Sequence, residues 1–401
     1  VPRPQRPPQP QLLQVAHALD AGRLALRLRQ RRQKHARQNR NDGDHHQQLN
    51  QGGKKWESGP VEKIPEGDIV LALAYELNTA FENIQCGSDK GMDVPSIMWM
   101  HPATTIALPP LGDFLVPAIE KQKRINFHGR ISKEEYLQSV LSLQEHIRKG
   151  DIYEVNFCME FFAEEVEVDP FVVFANLHSI TRAPFSAFLR REEQFLLCGS
   201  PERFVQRKGD RLLSQPIKGT IRRGKSQEED KVLREQLRND SKERSENVMI
   251  VDLVRNDLSR IAIRSSVRVD ELMEVYTFPT VHQMISTISC ELREGVNTYD
   301  ILKAAFPMGS MTGAPKVKAM ELIARYEQSR RGWYSGSVGF RKANGDCDLN
   351  VVIRSLFYDR QKRYLSFSVG SAITAASDPE REYDECLLKA EAMIKAVNAS
   401  S

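Results

Sequence analysis

The period of the apolar residues changes repeatedly along this chain, and that limits its fold more than any other feature. From Ser132 to Lys149 the apolar positions Tyr136, Val140, Leu143 and Ile147 recur at helical spacing, and Ser132 with Glu135 forms a capping box at the start. Gly150-Asp151 ends that helix, and Ile152 to Phe161 reads as a strand. Short apolar runs at Ile69–Ala74, Phe195–Cys198, Arg211–Ser214 and Gly336–Phe340 also read as strands. So do Leu349–Phe357 and Tyr364–Val369, where apolar and polar residues alternate. Ser226–Leu237, Asp240–Leu258 and Pro379–Val397 read as helices. No regular strand–helix–strand rhythm, internal repeat or G-x-G-x-x-G turn appears. The pattern predicts an α+β fold of extended antiparallel sheets with flanking helices.

Residues 1–65 differ from the rest. The first 50 hold ten Lys or Arg against three Asp, so they carry +7 of a net +4, and the remainder is mildly acidic. Arg, Gln, Pro and His dominate, with one amphipathic piece at Leu12–Leu28 that is compatible with a helix. This is the composition of a solvated, low-complexity leader, with a single globular domain expected over 66–401. The charge raises nucleic-acid binding through residues 1–55, but no aromatic ring other than histidine precedes Trp56, so that role is not expected. No run of apolar residues is long enough to span a bilayer, and the N-terminus lacks the apolar core of a secretory signal. Cys86, Cys158, Cys198, Cys290, Cys347 and Cys386 form no C-x-x-C pair, which argues against zinc and for free thiols in a reducing cytoplasm.

Several residues could carry chemistry. At the start of the last helix, Ser377 is a candidate N-cap, with Pro379 in the first turn and Glu380 completing a capping box. Tyr383, Leu387, Ala390, Ile394 and Val397 form its apolar stripe, and Glu382, Glu385 and Lys389 share another face. Glu243 and Glu246 repeat the carboxylate pair on an earlier helix, whose apolar side is Ile250, Val254 and Leu258. Both pairs read either as solvated faces or as two sides of a magnesium site, since magnesium takes few carboxylates and keeps waters or substrate oxygens. Lys218 sits where Pro216 and Gly219 mark a turn; it reads as a surface lysine or, partly desolvated, as a nucleophile of lowered pKa. Arg354 alternates away from Leu349, Val351 and Ile353, and suits either an edge salt bridge or a carboxylate ligand. His282 reads as structural.

Taken together, the segments Ser200–Phe204, Pro216–Gly224, Asp252–Leu258, Phe306–Lys316, Arg331–Gly339, Val351–Arg354 and Gly370–Glu385 resemble the chorismate-binding enzyme family. Its members include anthranilate, aminodeoxychorismate, isochorismate and salicylate synthases. The resemblance covers about Ser132 to Val397, with a weaker match from Asp68 through Ala74–Asn78. It implies two large, mainly antiparallel sheets packed as a sandwich. It also implies a magnesium site at Glu246 and Glu385 with Glu243 and Glu382 beside them. Glu202 matches the general acid for the leaving C4 hydroxyl, and His282 a histidine near the ring. Tyr334 and Arg354 match the residues that hold the pyruvyl carboxylate. Thr220, Lys389 and the backbone at Gly370 and Ala372 match the remaining carboxylate contacts.

Two positions separate the family's members. Around Lys218 the chain resembles the aminodeoxychorismate synthases, which implies attack of the lysine on C2 and then amination at C4; anthranilate synthases carry a small residue there and are the alternative. Glu154 departs from both the water-activating lysine and the usual glutamine, and its role stays open. No amidotransferase segment is recognisable, so the resemblance implies a partner glutaminase as ammonia source. The family's opening strands are not recognisable in residues 1–65.

Overall fold

A computed structural model describes residues 14–16, 56–85, 87–102 and 124–399. Two large sheets form the body. The first has eight strands, ordered Gln14–Ala16, Phe185–Arg191, Gln194–Ser200, Ser355–Asp359, Tyr364–Ile373, Glu154–Ala163 and Gly313–Ala314, with His128–Gly129 also against Glu154–Ala163. Among the described residues only the pair at one edge, Gln14–Ala16 with Phe185–Arg191, is parallel. The second has ten strands, with Val281–Glu291, Arg211–Gln215, Arg203–Lys208, Cys347–Asn350, Ser337–Arg341 and Ile69–Leu73 side by side at its centre. The α+β expectation holds.

One apolar core joins residues of both sheets, such as Leu196 and Cys198 of the first with Leu71, Val205 and Leu349 of the second. A second core lies between the first sheet and helices α1 (Lys133–Arg148), α2 (Pro170–Thr181) and α3 (Pro379–Asn398). Helix α1 starts at the predicted capping box, with Glu135 N donating to Ser132 Oγ and Ser132 N to Glu135 Oε2, and buries Tyr136, Val140 and Leu143. Five cysteines, Cys158, Cys198, Cys290, Cys347 and Cys386, are free and buried. Cys86 lies outside the described residues. Among the described residues no helix is long and apolar enough to cross a membrane.

Four expectations need correction. Gln14–Ala16 is extended and paired, not helical; the rest of Leu12–Leu28, and most of the basic leader, lie outside the described residues. The packed chain starts before residue 66: Glu57–Ser58 joins the ten-stranded sheet and Val61 is buried. At α3 the N-cap is Asp378, which accepts from Arg381 N, because Ser377 Oγ is already engaged with Ala372 O and Thr374 N. The buried stripe of that helix accordingly runs through Cys386, Ala390, Met393 and Val397, leaving Leu387 exposed.

Leu349–Phe357 is not one strand. Cys347–Asn350 belongs to the ten-stranded sheet and Ser355–Asp359 to the eight-stranded one, and Arg354 between them has a left-handed φ of 52°. A second crossing between the same sheets runs beside it, from Gln194–Ser200 through Pro201-Glu202 to Arg203–Lys208. The crossings are stitched together: Gly199 N donates to Arg354 O at 3.1 Å and Val351 N to Glu202 O at 3.1 Å. Sheet ladders cannot satisfy these backbone groups at a crossing, so the two crossings satisfy each other.

Candidate active site

A cleft of about 510 Å³ opens where these crossings meet α3 and a further helix, α4 (Ser241–Ser259). It is lined by Glu202, Lys218, Thr220, Glu243, Glu246, Tyr334, Arg354, Gly370, Ala372, Glu382, Glu385 and Lys389, which is every site residue expected from the sequence except His282. His282 is buried within its strand, with Nε2 bonded to Asp230 Oδ1 at 2.9 Å and Nδ1 to Thr277 Oγ1 at 2.9 Å, while its neighbours Val281 and Gln283 line the cleft. Alternation along a strand puts it on the other face, so the structural reading of His282 stands and its placement near a substrate ring does not.

Lys218 lies on the strand Ile217–Arg222, whose register against Val281–Glu291 shifts between Ile217 and Thr220. Gly219 occupies that irregularity with φ +89°, and an added Cβ would lie 2.9 Å from Leu237. The motif is therefore a β-bulge that re-aims the lysine rather than a turn after a strand. Lys218 Nζ donates to Glu154 Oε1 at 2.8 Å and to Glu246 Oε2 at 3.4 Å. Burial pushes the lysine pKa down, but the two carboxylates outweigh it and hold Lys218 above the usual lysine range. The expectation of a lysine with lowered pKa is thus overturned: its partners are buried anions. The same geometry accounts for Glu154, which is 1% exposed and serves as the counter-ion of Lys218.

Glu202 sits in the second crossing, accepting from Ser310 Oγ at 2.7 Å. Burial raises its pKa to about 7 against the opposing effects of Ser310 and Lys218, which leaves a carboxylic acid able to give up a proton near neutral pH. Arg354 has no hydrogen bond or ion pair from its guanidinium among the described residues, and Tyr334 is buried beside the same cleft. A planar, unpaired guanidinium in a cleft fits a carboxylate. Tyr334 is set by a loop whose anchor is Arg331. That guanidinium donates to both Glu327 oxygens, Met311 O and Asn156 O, and Ser335 N donates to Val352 O.

The two carboxylate pairs do face each other. Asp240 caps α4 and Asp378 caps α3, so Glu243, Glu246, Glu382 and Glu385 all fall in the opening turns, where the helix N-terminus favours negative charge. Glu246 is raised to about 7, by burial first, while Lys218 works against the shift. Burial and the nearby Glu385 raise Glu243. Burial acts to raise Glu385, but Lys389 at 2.6 Å, with Lys242 and Lys218, leaves it below the usual range. Glu246 Oε1 and Glu382 Oε2 are buried without a hydrogen-bond partner. Such orphaned anionic oxygens fit a cation. Among the described residues no three acidic, histidine or cysteine side chains converge to enclose one, so water or substrate oxygens must complete any magnesium shell.

Sequence reasoning missed Ser310, Asn156, Gln283 and Lys242, all of which line the cleft. Lys242 had a readable signal, lying four residues before Glu246. Ser310 had none beyond its place within Phe306–Lys316.

The chain is 40% identical over 270 residues to "Aminodeoxychorismate synthase component 1" of Escherichia coli, covering 67% of this chain and 59% of that protein's length. It is 33% identical over 372 residues to "Anthranilate synthase component 1" of Thermus thermophilus, covering 84% of this chain and 80% of the relative. The crystal structure of anthranilate synthase component I from Streptococcus pneumoniae superimposes with a TM-score of 0.71 at 26% identity, covering 84% of this chain and 83% of that one. Residues 17–395 match the family described as chorismate binding enzyme, and the chain belongs to that family.

Proposed function

We propose that this chain aminates chorismate at C4 to give 4-amino-4-deoxychorismate, on the route to p-aminobenzoate and folate. One observation carries the reading: Lys218 lines the same cleft as Glu202, whose pKa burial raises to about 7, and the unpaired Arg354. Arg354 and Tyr334 receive the pyruvyl carboxylate, and Lys389 with the Gly370–Ala372 backbone receives the ring carboxylate. Proton transfer from Lys218 to Glu154, 2.8 Å away, gives a neutral amine and a neutral acid in place of a buried ion pair. The amine attacks C2 as Glu202 protonates the C4 hydroxyl, which leaves as water. Ammonia then bonds to C4, and the C2–nitrogen bond breaks to release Lys218.

Glu246 and Glu385, with Glu243 and Glu382 beside them, would hold a magnesium ion. When bound, it supplies charge neutralisation for the ring carboxylate and eases loss of the C4 hydroxyl. Ammonia comes from a separate glutamine amidotransferase subunit. The free buried cysteines support a cytoplasmic setting.

The test is incubation with chorismate, Mg²⁺ and ammonium, with the product identified by mass spectrometry and NMR. Anthranilate with release of pyruvate would establish the second reading, anthranilate synthase component I, which the longer match to the Thermus relative favours. A Lys218→Ala variant with an unchanged rate would rule out the covalent step.

A further inference from the structure

We infer that Lys242 is a tethered cation that holds the facing carboxylates together in the metal-free chain and is displaced when a divalent cation binds. This rests on the reading that those glutamates hold magnesium. Lys242 is in the first turn of α4, and its Nζ reaches across to α3, 2.9 Å from Glu382 Oε1 and 3.9 Å from Glu246 Oε1. Lys242–Glu382 is the direct ion pair joining these two helices among the described residues.

Its partners are fixed and it is not. Glu382 and Glu246 are 2% and 5% exposed, whereas the Lys242 side chain is 48% exposed. The lysine can therefore swing into solvent without unpacking a core, while the glutamates stay. Lys218 cannot do this, since its side chain is 10% exposed and held by Glu154.

The charges point the same way. A cation in the first turn of a helix opposes the partial positive charge of that terminus. Lys242 is kept there by the carboxylates alone. Glu246 Oε1 and Glu382 Oε2 still have no hydrogen-bond donor with the lysine in place, so one ammonium does not meet the need of the pair. An incoming dication both satisfies these oxygens and repels the ammonium. Once Lys242 has left, the dication takes its place between the glutamates of the two helices, with Lys389 still on Glu385 and Lys218 on Glu154.

The experiment is titration of the full chain with Mg²⁺, and with Mn²⁺ followed by electron paramagnetic resonance, in the absence of chorismate. It compares the natural protein with Lys242→Met and Lys242→Arg. Lys242→Met should bind metal more tightly, on the order of three- to tenfold, the range set by a partly exposed ion pair of up to about 1 kcal/mol plus removal of the competing charge. Its metal-free form should melt lower than the natural chain, and Lys242→Arg should resemble the natural chain in both measurements. Metal binding by Lys242→Met alone supports the inference in its strongest form. Equal or weaker metal affinity in Lys242→Met overturns the inference while leaving the metal reading intact, and points instead to a lysine that assists the metal or the substrate. No metal binding by any of the three proteins overturns both.

Discussion

Replacing Lys218 with methionine should cost stability whether or not substrate is present. The lysine side chain is 10% exposed and its partners Glu154 and Glu246 are 1% and 7% exposed, so the substitution strands two carboxylates away from water. Removing one member of a buried ion pair costs about 3–5 kcal/mol. Little local rescue is available, because Glu154 Oε2 and Glu246 Oε1 already lack a donor. Adding Glu154→Gln removes one stranded charge and should restore roughly half of the loss, about 1.5–2.5 kcal/mol, so the two sites are non-additive. The assay is urea unfolding of the four proteins of this cycle, metal-free. The sign of the pH effect follows from the direction of the shifts. Glu246 is raised to about 7 even with Lys218 opposing the rise, so losing the lysine raises it further. A carboxyl raised in the folded state binds more protons there than in the unfolded chain, so stability falls as pH climbs from the ordinary glutamate range. Both proteins lose stability alike up to about pH 7, so the Lys218→Met deficit should grow above that value and be larger at about pH 8.5 than at about pH 6. A loss below about 1 kcal/mol, typical of an exposed pair, or a deficit that ignores pH, would refute the account of Lys218 as a buried ion held by two anions.

The Glu202 carboxyl, raised to about 7 by burial, should give a rate that declines as pH rises through that value and the proton is lost. Glu202→Gln should remove this limb from the pH–rate profile and slow turnover by about 10²–10⁴-fold. Arg354→Gln should raise the chorismate KM, by roughly 10- to 150-fold for a charge-assisted contact of about 1.5–3 kcal/mol, and chorismate titration by calorimetry would show it directly. His282→Phe should leave that KM within about twofold and lower stability by about 0.5–1.5 kcal/mol for each hydrogen bond lost, because it removes bonds to Thr277 and Asp230 rather than a substrate contact, and Asp230 keeps Arg223 and Gly224 N.

What could be read from the sequence was what neighbouring residues decide among themselves. The capping box of Ser132 and Glu135 is local, and it starts α1 where expected. The i, i+3 pairs Glu243/Glu246 and Glu382/Glu385 each share a helix face by geometry alone. That the faces meet depends on two sheets and two helices separated by more than a hundred residues, which spacing cannot express. The last helix shows how tertiary demand overrides a local rule. Ser377 and Asp378 are both competent caps, but Ser377 is held by the end of the strand Tyr364–Ile373, and the cap passes to Asp378. Leu387, placed on the apolar stripe by its spacing, ends exposed, while the smaller Cys386 is buried beside Ala390.

The residues that the regular pattern misjudged are also the ones the cleft uses. Leu349–Phe357 alternates as one strand would, yet Arg354 breaks it with a φ that arginine adopts at a cost. Lys218 interrupts a ladder at a bulge, and Glu202 lies where a strand leaves one sheet for the other. A strand confined to one sheet presents alternate side chains to a core or to solvent. A strand that switches sheets must point some side chains into the gap between them, and two such switches side by side make a cleft whose walls carry Glu202 and Arg354. Irregularity therefore has a constructive role in this fold. It takes an acid, a guanidinium and an amine from strands that would otherwise bury or expose them, and turns them toward one space.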